Sequence, residues 1–326
     1  LGSDYMLTTP DDYEAGMKKC ADGGEFEFTR WGNEGLREMA PLWMLKYLPN
    51  MPASHIAIYN DLRGPNNSLT MREASSHLAI GEAFRTVARG DADVCICGGA
   101  ESKANPMAAA RRFLCGQVNS NDNDRPETAS RPFARDRAGM VPSEGGGLVI
   151  LESLEHAQAR GARIYAELVG FGAASNAQSW SEPAADGRPL AIAMRKAMTD
   201  AQTSIDGIDL AVPFGTGAPS LDSAEIAAWN DVFGNRLANI PAMTTRGTLG
   251  INGAGSGAMD FSAMVMAISR NTVPPSLNAA NPDPASKFNF AHRDPRDARA
   301  KQALSVAYAL TGGQAAALIV RKWGGA

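Results

Sequence analysis

Apolar positions along the chain alternate between two spacings. Residues 93–101, DVCICGGAE, form a short apolar run of strand length, and 54–62, SHIAIYNDL, reads the same way. Between them, in SSHLAIGEAFRTVARG (75–90), Leu78, Ile80, Ala83, Phe84, Val87 and Ala88 fall near helical spacing, and Gly90 is placed to end that helix. Residues 147–175, GLVILESLEHAQARGARIYAELVGFGAAS, predict a buried strand, a short helix and a second strand. Helix, turn, strand and glycine-rich loop follow in 188–217, RPLAIAMRKAMTDAQTSIDGIDLAVPFGTG. A further helix in 255–278 stops near Asn271 and Pro274, and 302–323, QALSVAYALTGGQAAALIVRKW, predicts a closing pair of strands. Strands that alternate with helices in this way define an α/β architecture.

Two stretches break the pattern. Residues 116–147 are polar and rich in arginine and glycine, and 279–300 include NPDPASKFNFAHRDPRDARA. Loops of this length in a compact domain edge a site or an interface.

Composition narrows the function classes. With 326 residues, 44% hydrophobic and 20% charged, the chain is long enough to bury a large core. A formal charge of −4 supplies no basic excess for nucleic acid, and no charge block suits a membrane surface. No apolar run approaches the length of a membrane span, and the opening LGSDYMLTTPDDYEAG lacks the basic flank and apolar stretch of a signal peptide. The four cysteines, Cys20, Cys95, Cys97 and Cys115, have no metal-ligand spacing; Cys95 and Cys97 read as core thiols. A reduced, cytoplasmic protein with no metal and no cofactor is the expectation.

Three segments carry a resemblance: GPNNSLTMREASSHLAIGEAFRTVARGDADVCICGGAE (64–101), ASRPFARDRAGMVPSEGGGLVILESLEHAQARGARIYAELVGFG (129–172) and VPPSLNAANPDPASKFNF (273–290). They resemble the β-ketoacyl-acyl carrier protein synthases, the condensing enzymes of fatty-acid and polyketide synthesis, and the similarity runs from residue 1 to 322. The resemblance implies a thiolase-like α/β fold: two related halves, 1–165 and 166–326, in five layers (helix, sheet, helix, sheet, helix), dimeric across a sheet edge that leads through NNSLTM into the nucleophile turn. Leu1–Ser3 match a strand that the family reaches only after roughly 100 residues; the bare edge and uncovered face that would result are liabilities, which favours a preceding segment.

The family's catalyst is a cysteine at a helix entrance with two histidines that steady the enolate formed on decarboxylation. The matching positions here are Glu73, Phe214 and Ile251, and the family's lysine is matched by Arg246. A glutamate is acylated only as a mixed anhydride, which hydrolyses readily. Phe214 and Ile251 offer no hydrogen to a developing oxyanion, and each lost donor lowers the rate by about 10²–10³. No condensation route therefore remains.

Glu73 is expected to cap its own helix and fill the old site, or to act with Arg72 or Arg246 on a bound group; His77, four residues on, is placed to pair with it. Arg246, Thr216, Leu310 and Thr311 are the acyl- or thioester-pocket candidates, with the family's bulky gate replaced by ALTGG (309–313). Asp136, Glu144 and Glu225 match structural acidic positions, and Gly145, Gly146 and Gly147 allow close packing.

The resulting reading is a degenerate, chain-length-factor-like partner subunit that shapes the acyl cavity of an active ketosynthase. It would be a homodimer or heterodimer, with acyl carrier protein as a further partner. Such factors usually carry glutamine at the cysteine position, so glutamate marks a departure. The alternative is an acyltransferase, decarboxylase or hydrolase acting on acyl or malonyl thioesters through Glu73.

Overall fold

The computed structural model describes residues 1–4, 10–177, 184–311 and 313–324; part of the opening stretch and Gly312 of the ALTGG segment lie outside them. The N-terminal portion runs through α1 (Pro10–Cys20), several single 3-10 turns and α2 (Met51–Tyr59) into a 3-10 turn at Arg72–Ala74 and then α3 (Ser75–Ala88). β1 (Val94–Ser102), α4 (Pro106–Leu114), β2 (Glu144–Glu152) and α5 (Leu154–Ala159) follow. The remainder comprises β3 (Ala166–Ser175), α6 (Arg188–Asp200), β4 (Leu210–Val212), α7 (Pro219–Phe233), β5 (Pro241–Ala242), α8 (Arg246–Leu249) and α9 (Ser256–Arg270). The chain closes with β6 (Thr272–Val273), β7 (Asn289–Phe290), β8 (Arg296–Asp297), β9 (Gln302–Tyr308) and β10 (Gln314–Lys322).

Most elements fall where the pattern puts them, with one correction. Residues 54–62 do not form a strand: most of them lie in α2, which Pro52 starts and whose turns bond Ser54 N–H to the Asn50 carbonyl. The alternating Ile56 and Ile58 suggested a strand, but this helix keeps only Ala53 buried and leaves Ile58 on the surface. Asn271 ends α9 in the left-handed conformation, φ 56°, as its position predicts.

The elements stack in layers. A six-stranded sheet in the order β3-β10-β9-β4-β5-β7 is antiparallel on the β3 side and parallel from β9 to β7. Helix α6 packs on one of its faces, and α3 and α9 cover the other. Beyond α3 and α9 lies a second sheet of β1 and β2, paired from Val94–Glu152 to Ser102–Glu144, with Gly2 bridging to both Gly99 and Leu69. The inner positions Cys97, Val149 and Leu151 join the core around Ile80, Phe261 and Met264, while Val94, Ile96, Leu148 and Ile150 on the alternate positions are exposed. The glycines of β2 serve packing: a Cβ on Gly146 would meet Ala100 Cβ at 2.5 Å, and one on Gly147 would press on the Ala258 backbone of α9 at 3.0 Å.

The central helices α3 and α9 both begin near the same end of the layered core, each entered from a 3-10 turn, and those two turns touch. That convergence fixes the place to look for chemistry.

Candidate functional site

The chain enters α3 through a sharp bend at Arg72, held in the left-handed region at φ 54°. Ser75 braces the bend by accepting from Met71 N–H (2.7 Å) and donating to the Ser3 carbonyl (3.0 Å). Glu73 follows with its side chain turned fully inward, at 0% exposure. One carboxylate oxygen forms an ion pair with Arg112 of α4, and the other accepts Leu310 N–H at 3.1 Å. Arg112 also donates to Gln117 Oε1 (3.0 Å), whose amide reaches the Leu310 carbonyl at 3.4 Å. Glu73, Arg112, Gln117 and the backbone of Leu310 thus close a ring of hydrogen bonds that joins the Arg72–Ala74 turn, α4 and the loop between β9 and β10.

This arrangement corrects two expectations. Glu73 does not cap its own helix, since its acceptors are taken by Arg112 and Leu310, and its cation is neither Arg72 nor Arg246. His77 does not pair with it: its Nε2 sits 2.9 Å from Ser305 Oγ in the core, and its Nδ1 has no hydrogen-bond partner among the described residues. Burial, with Arg246 nearby, drives His77 down to about 3, so the ring is neutral at physiological pH.

Phe214 and Ile251 are both in the core. The Phe214 ring packs edge-on to Tyr308 at 5.5 Å, with the Arg246 guanidinium 5.2 Å from its centroid. Ile251 is 1% exposed and exchanges backbone bonds with Val141 and Ser143 of the long 116–147 loop. Both belong to one apolar cluster with Leu310, Tyr308, Met140 and Phe133.

Arg246 and Thr216 are engaged by the protein itself. Arg246, fully buried, donates to Gly250 O (2.8 Å), Thr245 Oγ1 (2.7 Å) and Ser256 O (3.1 Å), and pairs with Asp260 of α9. The Thr216 hydroxyl donates to Asp222 Oδ1 (2.8 Å) and accepts from Ala218 N–H (2.9 Å). Leu310 is buried, and Thr311 is half-buried, its hydroxyl without a hydrogen-bond partner among the described residues. Glu225 holds the bend after β4 by accepting Phe214 N–H (2.7 Å) and Gly215 N–H (2.8 Å), the structural task its position implied; burial raises its carboxyl to about 8. Beside Tyr308, Ala309 and Gly313 the free space is a cavity of about 30 Å³, room on the scale of one or two waters.

Both predicted loops edge this place. Ser130 Oγ donates to the Arg246 carbonyl at 2.7 Å, and Arg135 N–H reaches the Asn281 carbonyl at 2.8 Å, so 116–147 and 279–300 meet over the site. Sequence reasoning missed Arg112, Gln117 and Asp222. Asp222 carried a signal in its motif, DSAE. Arg112 carried none. Among the described residues no group of His, Cys, Asp and Glu is arranged to hold a metal ion, and no helix is long and apolar enough to cross a membrane.

Layered sheets with two central helices meeting at a buried turn define the thiolase-like class of α/β proteins. Within that class the chain belongs to the β-ketoacyl synthase family: residues 21–157 match its N-terminal domain and 165–280 its C-terminal domain. Its relatives include the 3-oxoacyl-[acyl-carrier-protein] synthase 2 of Rhizobium meliloti (strain 1021), 35% identical over 90% of this chain and 69% of that protein. The protein of the same name from Synechocystis sp. is 35% identical over 89% of this chain and 70% of its own length. Among solved structures, a chain in the complex of a type II PKS acyl-carrier protein with its ketosynthase is similar over 99% of this chain and 78% of its own length (TM-score 0.86, 25% identity). The ishigamide ketosynthase/chain length factor is similar over 99% and 74% (TM-score 0.83, 26% identity). The chain is a ketosynthase-family protein of fatty-acid or polyketide synthesis.

Proposed function

We propose that this chain is a non-condensing partner subunit that pairs with an active ketosynthase and shapes the cavity in which that enzyme's acyl chain grows. The observation that carries this reading is the closed state of the site. Glu73 has no exposed surface, and both its oxygens are bound by Arg112 and Leu310. Phe214 and Ile251, which the resemblance matches to the family's two histidines, lie buried in one apolar cluster. A carboxylate held in a charge-assisted pair is a poor base and nucleophile, because the bonds that stabilise it must break before it reacts.

A pairing edge supports the same reading. Leu69 uses its backbone on Leu1 and Ser3, donating to Leu1 O (3.0 Å) and accepting from Ser3 N–H (3.0 Å). In an extended strand the neighbouring Ser68 and Thr70 turn their backbone groups the opposite way, along a stretch that includes the exposed Thr70 and Met71. Strand addition by a second subunit along 66–71 would satisfy those groups. Acyl carrier protein would then meet the pair rather than this chain alone.

The test is reconstitution with an intact Cys–His–His ketosynthase of the same pathway. Gel filtration reads pairing, and release of carbon dioxide from a malonyl thioester reads chemistry. A complex whose product length depends on this chain, with no release by this chain alone, supports the role. Carbon dioxide or free acid formed by this chain alone and abolished by Glu73→Gln would transfer the assignment to an enzyme working through Glu73.

A further inference from the structure

We draw no further inference here: the strongest candidate, the exposed apolar face of the β1–β2 sheet (Val94, Ile96, Leu148 and Ile150) with the cavity it shares with Ile56 of α2, carries nothing because nothing in the structure shows what covers it.

Discussion

Replacing Arg112 by alanine removes the cation paired with Glu73, a carboxylate that has no exposed surface. Glu73 also accepts Leu310 N–H at 3.1 Å, a bond that cannot neutralise it. Breaking a buried pair from one side costs about 3–5 kcal/mol, because a buried charge is left behind. Truncation also orphans Gln117, which loses its donor at 3.0 Å. The double variant Glu73→Gln/Arg112→Met removes both charges and keeps the volume, and such replacement of a buried pair is commonly neutral or stabilising by about 1–4 kcal/mol. Urea unfolding of wild type, Arg112→Ala, Glu73→Gln and the double variant therefore predicts strong non-additivity. The double variant should regain most of the loss seen in Arg112→Ala, with unchanged m-values. Single losses below about 1 kcal/mol that simply add would mean that the pair is a solvated contact, and the closed-site reasoning would fail.

Other consequences follow from neighbouring residues. Phe214→Ala should destabilise by about 3–5 kcal/mol and open a cavity beneath Tyr308, detectable as xenon or benzene binding in crystals. Glu73→Cys should leave malonyl-thioester decarboxylation at background, because Phe214 and Ile251 still supply no donor at about 10²–10³ in rate each; carbon dioxide release by this single variant would contradict that. His77, lowered to about 3, binds fewer protons folded than unfolded between pH 3 and 6.5. Its contribution is thus complete above pH 6.5 and lost as pH falls toward 3, by about 1.4 kcal/mol per unit. Nitrogen-15 NMR of the ring should show it neutral at pH 5.5, and an imidazolium there would refute the assignment.

The sequence made the layers legible because each element carries its own period: 3.6 in α3 and α9, apolar runs in β1, β9 and β10. It misled at α2, where two isoleucines two apart mimic a strand on a helix that is mostly surface. At the site, Glu73, Phe214 and Ile251 were singled out by the resemblance of their loops to the family's motifs, and the structure buries all three. Arg112 was not, for a physical reason. It lies 39 residues from Glu73, beside Arg111 in AAARR, and nothing local distinguishes the buried arginine from the exposed one. Only the placing of α4 beside the Arg72–Ala74 turn decides it. The same holds for the pairing of Lys103 with Asp4, 99 residues away.

The central claim is that this fold has kept the shape of a condensing enzyme and closed its reaction centre. The most direct measurement compares radiolabelled malonyl thioester turnover by this chain alone, by an intact ketosynthase alone, and by the two together. The account predicts no carbon dioxide from this chain alone, a stable complex, and a product chain length in the mixture that changes when this chain is left out. Turnover by this chain in isolation, or a mixture whose products match those of the ketosynthase alone, would contradict it.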